Sequence, residues 1–267
     1  MKIIACIKQV PDTTEVKVDP KTHTLIRDGV PSILNPYDHF AVEESVRIKD
    51  QIAEVSVTVI TMGPEQARSA LMRCLALGAD DAVLISDKKF AGSDTWATAY
   101  TLSLAIKKIG KFDIVFCGQQ AIDGDTAQVG PELAQQLGIP QITYVEKVEI
   151  DEKLKLTIHK QTEEGYQILE TKPPVLLALL PPTSFQPEHP PMSSILKAKK
   201  KPFKVWDAKT LGGDESKFGL DGSYTQVIKT YTPPTRGECE FIEKDDIKQA
   251  AKKLSEILLK HEALIKR

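Results

Sequence analysis

The sequence predicts an α/β fold with a Rossmann-like parallel sheet, an antiparallel extension and a C-terminal arm that ends in a helix. Four short runs rich in β-branched residues alternate with helical patterns, as parallel strands do when helices connect them. These runs are Ile3–Ile7, Val55–Thr61, Ala82–Ser86 and Ile114–Cys117. After Pro140 four further strand patterns follow without helices between them, so we expect antiparallel pairing there. They are Ile142–Ile150, Leu154–Gln161, Tyr166–Thr171 and Val175–Leu180.

Turn and capping residues mark the ends of four helices in the parallel part of the chain. Asparagine, aspartate and proline are typical of helix starts, and glycine is typical of the position just past a helix end. The start and end signals are Asn35-Pro36 for the first helix, Gly63-Pro64 and Gly78 for the second, Asp94 and Gly110 for the third, and Pro131 and Gly138 for the fourth.

The second half of the chain ends in segments of a different character. Residues 181–191 contain five prolines, which exclude a helix or a central strand and predict an exposed loop. Residues 245–265 form a helical pattern with a single apolar face. That face consists of Ile247, Ala250, Ala251, Leu254, Ile257 and Leu258. We therefore predict an α/β domain over residues 1–206, including the antiparallel extension, and an arm with a docking helix over residues 207–267.

Charge and cysteine content exclude several classes of protein. The chain has 35 Lys and Arg against 37 Asp and Glu, so it lacks the overall basic field that drives nonspecific nucleic-acid binding. Its four cysteines form no Cys-x-x-Cys pair, and Cys6, Cys74 and Cys117 lie in apolar segments, which favours a reducing compartment. No stretch approaches the roughly 20 apolar residues of a membrane span. We expect a cytoplasmic protein with neither nucleic-acid binding nor membrane insertion.

The familiar catalytic and phosphate-binding motifs are absent from the sequence. It contains neither a P-loop nor a Gly-x-Gly-x-x-Gly run after the first strand, and it has no Gly-x-Ser-x-Gly nucleophile motif. The five histidines are scattered, and no zinc ligand set has a standard spacing. We therefore predict no metal site and no catalytic side chain.

The loop Gly118–Pro131 is the strongest functional signal that remains. It joins a strand to a helix, which is where parallel α/β sheets bind ligands, and its amides and hydroxyls suit a nucleotide. We expect residues 123–126 to cap the following helix while its amides stay free for a phosphate, with Asp123 and Asp125 on ribose hydroxyls or backbone amides. An ordinary strand-to-helix connection is the alternative that the residues alone leave open.

Six motifs follow one another along the chain. They are Cys6-Ile7-Lys8-Gln9-Val10-Pro11-Asp12, Asn35-Pro36-Tyr37-Asp38 with Ala41-Val42-Glu43-Glu44, Met62-Gly63-Pro64, Ala76-Leu77-Gly78-Ala79-Asp80, Gly118–Pro131 and Ile195-Leu196-Lys197-Ala198-Lys199-Lys200-Lys201. Together they resemble the β subunits of electron-transfer flavoproteins, and the resemblance covers residues 2 to about 206. The resemblance implies an adenine-nucleotide-binding fold of universal-stress-like topology and a heterodimer with an α subunit. It also implies that electrons pass between flavins and partner flavoenzymes, such as dehydrogenases of the acyl-CoA dehydrogenase type.

The resemblance also implies where the cofactor and the partners bind. The cofactor-binding positions are Cys6, Asn35, Pro36, Tyr37, Asp38, Met62, Gly118, Gln119, Gln120, Ala121, Ile122, Asp123, Gly124, Asp125, Thr126, Ala127, Gln128 and Val129. The partner-recognition loop corresponds to residues 185–201, in which we expect Met192, Ile195, Lys197 and Lys200 to meet a partner. Met192 is the protruding apolar anchor, and a flexible methionine suits an adaptable surface.

The family has two branches, which differ in the nucleotide that this site holds. Simple carriers hold AMP and have three aspartates where this chain has Asp123-Gly124-Asp125, and they lack the continuation Thr126–Pro131. Electron-bifurcating members hold a second FAD and accept hydride from NADH. They pass electrons to a dehydrogenase and to ferredoxin or flavodoxin. This chain resembles the bifurcating branch. A simple AMP-holding carrier and a non-redox nucleotide-binding protein of the universal-stress type are the alternatives.

Overall fold

The parallel core of the molecule follows the alternation that the sequence predicts. We describe a computed structural model that covers residues 1–12, 31–151, 154–228, 241–242 and 246–265. Its core strands are β1 (Lys2–Cys6), β4 (Ser56–Met62), β5 (Asp81–Ile85) and β6 (Ile114–Gly118). Each lies within one or two residues of a predicted strand, which confirms the fold class.

The first and third helices between these strands begin at the predicted signals, whereas the second begins four residues after Pro64 and the fourth two residues before Pro131. The last three end directly before their predicted glycines. The main helices are α1 (Pro36–Gln51), α2 (Arg68–Leu77), α3 (Thr95–Ile109) and α4 (Val129–Leu137). Pro36 stands in the first turn of α1, and the Asp94 carboxylate caps α3 by accepting from the amide of Ala97. Gly78 follows α2 with φ 128°, a backbone conformation that suits glycine best.

One sheet of nine strands organises the fold, in the order β11-β5-β4-β1-β6-β10-β7-β8-β9. The other strands of this sheet are β7 (Gln141–Ile150), β8 (Leu156–Thr162), β9 (Gly165–Thr171), β10 (Val175–Leu179) and β11 (Lys204–Trp206). Antiparallel pairing is limited to β7-β8 and β8-β9 among these strands. A separate antiparallel pair, which we did not predict, joins β2 (Gln9–Pro11) to β3 (Ser32–Leu34).

The prediction of an antiparallel strand over Val175–Leu180 is wrong. Strand β10 enters the sheet between β6 and β7 and is parallel to both. All five of its residues are buried, as in strands that are covered on both faces. The apolar run Val175–Leu180 fits such a strand. We predicted antiparallel pairing because no helix precedes this run, but the strand pairs with β6 and β7 instead of with the strand just before it in sequence.

Two layers of helices cover the sheet, and the period of two along each strand divides the core between them. Ile3 and Ala5 pack toward α1 and α2, whereas Ile4 and Cys6 pack toward α3 and α4. Two short helices, α5 (Met192–Ala198) and α6 (Ala208–Leu211), add Ala198 to the first of these clusters and Ala208 to the second. Strands β1, β4 and β6 therefore end together at one edge of a firmly packed sheet.

The boundary between the two compact units of the chain lies later than residue 206. They comprise residues 1–230 and 231–267, and Ala208 and Phe218, which follow residue 206, are buried in the core of the first unit. The second unit contains α7 (Ile247–Ile265), the helix that the sequence predicts. In the part of the chain that the structure describes, no helix combines the length and apolar character that a membrane span needs.

Candidate functional site

The predicted site residues meet at the carboxyl edge of the parallel strands. Strand β1 lies between β4 and β6, so the strand ends Cys6, Met62 and Gly118 lie at the same edge. Cys6 is buried, and burial beside Cys117 and Asp38 raises the pKa of its thiol well above its ordinary value. This edge, where parallel α/β sheets bind their ligands, is the candidate site.

The start of helix α1 forms the floor of the site, which we define as Cys6, Asn35–Asp38 and Gly118. Asn35 is fully buried, and its side chain donates to the carbonyl of Gln120 (Nδ2 to O, 2.9 Å). Its Oδ1 accepts from the amide of Ile122 at 3.2 Å. The side chain therefore ties the next loop to the floor.

Asp38 joins three elements of this floor. Its Oδ2 accepts from the amide of Lys8 at 2.7 Å, and its Oδ1 accepts from the amide of Gly118 at 3.0 Å. Burial raises the pKa of Asp38 to about 7, although the hydrogen bonds from Asn35 and from the two amides pull it downward. The carboxyl group thus fixes the ends of β1 and β6 against α1.

Gly118 is required by this close approach. A Cβ at that position would lie 2.6 Å from the Cβ of Tyr37 and 2.9 Å from the backbone nitrogen of Asp38, besides meeting the Asp38 carboxylate. A second glycine, Gly130, brings α4 against the sheet, where its Cβ would lie 2.9 Å from the sulfur of Cys117. Gly118 and Gly130 therefore allow close packing around the site.

The site loop, residues 119–128, starts firmly and then becomes exposed. The Gln119 amide donates to the carbonyl of Leu179 at 2.8 Å, and its buried Oε1 accepts from the amide of Tyr144 at 2.7 Å. This side chain, predicted as a cofactor contact, holds strand β7 in place. Beyond it Asp125 and Ala127 have φ of 55°, which is uncommon outside glycine.

The expected cap of α4 by residues 123–126 is not formed. The helix begins after Gln128, and among the described residues no side chain caps it. Asp123 instead pairs with Lys8 (Oδ1 to Nζ, 2.6 Å), and Asp125 accepts from the side chain of Gln120. The first amides of α4 are therefore left without a side-chain cap, and Thr126 and Gln128 are exposed beside them.

Two residues next to the site were not among the predicted positions. Tyr144 has a left-handed backbone with φ 58°, and no local sequence signal marks it. Lys8 lies two residues after the end of β1, and one signal marks it: no other Lys or Arg occurs in residues 6–9, 35–38, 62–64 and 118–129. Lys8 is thus the positive charge that the site-forming segments supply.

The recognition segment, residues 185–201, lies on the α1 and α2 side of the sheet. We expected a loop, but residues 192–198 form helix α5. Met192 is 69% exposed at its start, Lys197 and Lys200 are exposed, and Ile195 is partly buried against the core. The Glu188 amide donates to Glu43 on α1 at 2.6 Å. The segment therefore has a fixed base and an exposed tip.

Comparison with known proteins identifies the family. A family model described as the electron transfer flavoprotein domain matches residues 22–211. The chain belongs to the electron transfer flavoprotein family. It is 51% identical over 251 residues to the electron transfer flavoprotein subunit beta of Clostridium acetobutylicum, a match that covers 94% of this chain and 95% of the relative.

Two further relatives carry other names. The chain is 46% identical over 262 residues to the caffeyl-CoA reductase-Etf complex subunit CarD of Acetobacterium woodii, covering 98% of this chain and 99% of the relative. It is 45% identical over 253 residues to protein FixA of Azotobacter vinelandii, covering 92% and 89%. Matches of this length confirm the β-subunit family and a role in electron transfer.

Proposed function

We propose that this chain is the β subunit of an electron-bifurcating electron transfer flavoprotein and that its site holds FAD. The observation that carries the proposal is the surroundings of Gly124. A Cβ there would meet no atom of the described residues within 4 Å. Simple carriers have an aspartate at this position. With glycine in its place, the site has more space and one negative charge less beside the phosphates, and both changes favour a pyrophosphate.

The residues at the site fit an adenine dinucleotide. The uncapped amides at the start of α4, with the exposed Thr126 and Gln128, would hold the phosphates. The floor offers buried polar groups at Asn35 and Asp38 and the half-buried ring of Tyr37. Its packing fixes these groups before any ligand binds, so little order has to be gained on binding.

The chain's own residues would bind and orient the cofactor, and no acid or base side chain is required of them. When bound, FAD supplies the redox chemistry, in which two electrons from NADH leave separately toward a high-potential acceptor through the α-subunit flavin and toward ferredoxin or flavodoxin. Asn35 ties Gln120 and Ile122 of the site loop to the floor, so the start of the loop would stay in place when the cofactor binds.

The relatives support a place beside a flavin dehydrogenase. The name of the Acetobacterium woodii relative describes that protein as part of a caffeyl-CoA reductase complex. We propose that the present chain, with its α subunit, likewise serves a dehydrogenase of the acyl-CoA dehydrogenase type. The free thiols Cys6, Cys74 and Cys117 are buried, which agrees with a cytoplasmic location.

Counting the nucleotides of the heterodimer tests the proposal. The chain is produced with its α subunit, and the nucleotides released on denaturation are separated and quantified. We expect two FAD and no AMP per heterodimer. One FAD with one AMP would show a simple carrier and overturn the assignment of FAD to this chain.

Two substitutions at Gly124 separate charge from size. Gly124→Ala adds a small methyl group without charge, so FAD content should fall less than in the carboxylate variant. Gly124→Asp adds a carboxylate beside the phosphates and should lower FAD content in favour of AMP, because a pyrophosphate carries more negative charge than a single phosphate. Equal FAD content in both variants would contradict the role of Gly124.

We also propose that helix α7 binds the α subunit. Its apolar residues Ile247, Leu254 and Leu258 are 81%, 48% and 58% exposed. Such a face on an amphipathic helix is typical of a protein interface. Leu254→Asp with Leu258→Asp should weaken assembly in analytical ultracentrifugation, whereas Lys252→Asp on the other side of the helix should not. Undiminished assembly of the double variant would refute this interface.

A further inference from the structure

Lys8 links the fixed floor of the site to the exposed site loop. Its amide donates to Asp38 at 2.7 Å, and its carbonyl accepts from the amide of Asn35 at 3.0 Å. Both ends of its peptide unit are therefore held against the start of α1. Its side chain extends to the site loop, where Nζ lies 2.6 Å from Oδ1 of Asp123.

The two members of this ion pair differ in how far they are exposed. The side chain of Lys8 is 47% exposed, whereas that of Asp123 is 9% exposed. Because water competes for a cation this exposed, the pair contributes less to stability than a fully buried pair would. The Lys8 ammonium is thus held at the site while remaining accessible to an anion from solution.

The charges around Lys8 leave it as the cation for an incoming phosphate. The site-forming segments contain Asp38, Asp123 and Asp125 and no Lys or Arg besides Lys8. A phosphate that entered without displacing Asp123 would find the charge of Lys8 already neutralised by that carboxylate. A phosphate that replaced Asp123 on Lys8 would also form a charge-assisted hydrogen bond, and its larger negative charge would attract the ammonium more strongly.

We propose that Lys8 binds a phosphate of the nucleotide and that Asp123 is an internal counter-ion, which the phosphate displaces from Lys8. This inference rests on the proposed nucleotide site but not on the choice between FAD and AMP, since both carry a phosphate next to adenosine. It gives Asp123 a role opposite to the one expected from the sequence. Asp123 competes with the ligand instead of binding its ribose.

Calorimetric titration of the full-length heterodimer, stripped of nucleotide, distinguishes the two roles. ADP and adenosine serve as probes, because they share the ribose and base and differ in phosphate. Lys8→Met should weaken ADP binding by about tenfold or more and leave adenosine binding unchanged. Lys8→Arg, which keeps the charge, should retain most of the ADP affinity.

Asp123→Asn gives the decisive sign. It should tighten ADP binding by up to about fivefold, because Lys8 no longer has to be released from its counter-ion. The gain should vanish in the Lys8→Met background. As controls, Lys155→Met and Glu170→Gln break another exposed ion pair, and they should leave the affinities for ADP and adenosine unchanged. Weaker binding of both ligands by Asp123→Asn, or unchanged ADP binding by Lys8→Met, would overturn the proposal. A wild-type protein that binds neither probe would instead refute the nucleotide site itself.

Discussion

The two helix starts at the candidate site are stabilised in different ways. At α1, Asn35 and Asp38 are buried. Asp38 accepts hydrogen bonds from the amides of Lys8 and Gly118, and Asn35 donates one to the site loop. At α4, the preceding loop is exposed from Gly124 to Thr126 and contains two left-handed residues other than glycine. Its ion pair with Lys8 involves a half-exposed cation.

This difference separates positioning from selection. Buried groups that hydrogen-bond to one another cannot be substituted without loss of stability. The floor is therefore suited to bind the part of the ligand that all adenine nucleotides share. An exposed loop tolerates substitution at little cost and is suited to distinguish one ligand from another. Changes in the floor should therefore alter folding, whereas changes in the loop should alter ligand choice.

The largest effect is expected from Gly118→Ala. Its new methyl group would meet the backbone of Asp38 and the Cβ of Tyr37, neither of which is the flexible end of a side chain. We expect the free energy of unfolding to fall by about 3 kcal/mol, at the upper end of the range for overpacked cores. Urea denaturation of the heterodimer measures it, with Gly124→Ala as the matched control in open space. Similar stability of the two variants would contradict the distinction between floor and loop.

A smaller effect, with a defined dependence on pH, is expected from Asp38→Asn. Each carboxylate oxygen accepts from a backbone amide, so one of these amides would face an NH₂ group in the variant. The lost hydrogen bond and unsatisfied donor should cost about 1–3 kcal/mol near neutral pH.

The pH profile separates this loss from the titration of Asp38. Burial raises the pKa of Asp38 from 3.8 to about 7, so between these values the folded protein holds a proton that the unfolded chain has released. The stabilisation from this proton is complete below about pH 4 and is lost as the pH rises toward 7. Wild-type stability should fall relative to the variant by at most about 1.4 kcal/mol per pH unit in that window. Parallel curves would show that Asp38 does not titrate there.

The sequence predicts the local structure of the floor better than that of the site loop. The starts of α1 and α3 are predicted correctly, because Pro36 stands in the first turn of α1 and Asp94 caps α3, so each acts on its own helix. The sequence misplaces β10 and misses the Lys8–Asp123 pair, since strand order and ion pairs join residues that are far apart in the chain. It also predicts a cap by residues 123–126, but Lys8 and Gln120 compete for those carboxylates.

The smallest effect sharpens the comparison, because its sign depends on the conformation of the loop. Ala127 has φ 55°, where an L-residue with a Cβ is strained, so Ala127→Gly should relieve strain and raise stability by up to about 1 kcal/mol. Ala121, in the same loop, is not among the residues with positive φ, so Ala121→Gly should lower stability by about 0.5–1 kcal/mol through the greater freedom of the unfolded chain. Urea denaturation of both variants compares the two changes directly. Changes of opposite sign in the free energy of unfolding would locate backbone strain at Ala127. Equal losses of stability in the two variants would show that Ala127 is not strained and that only exposure distinguishes the loop from the floor.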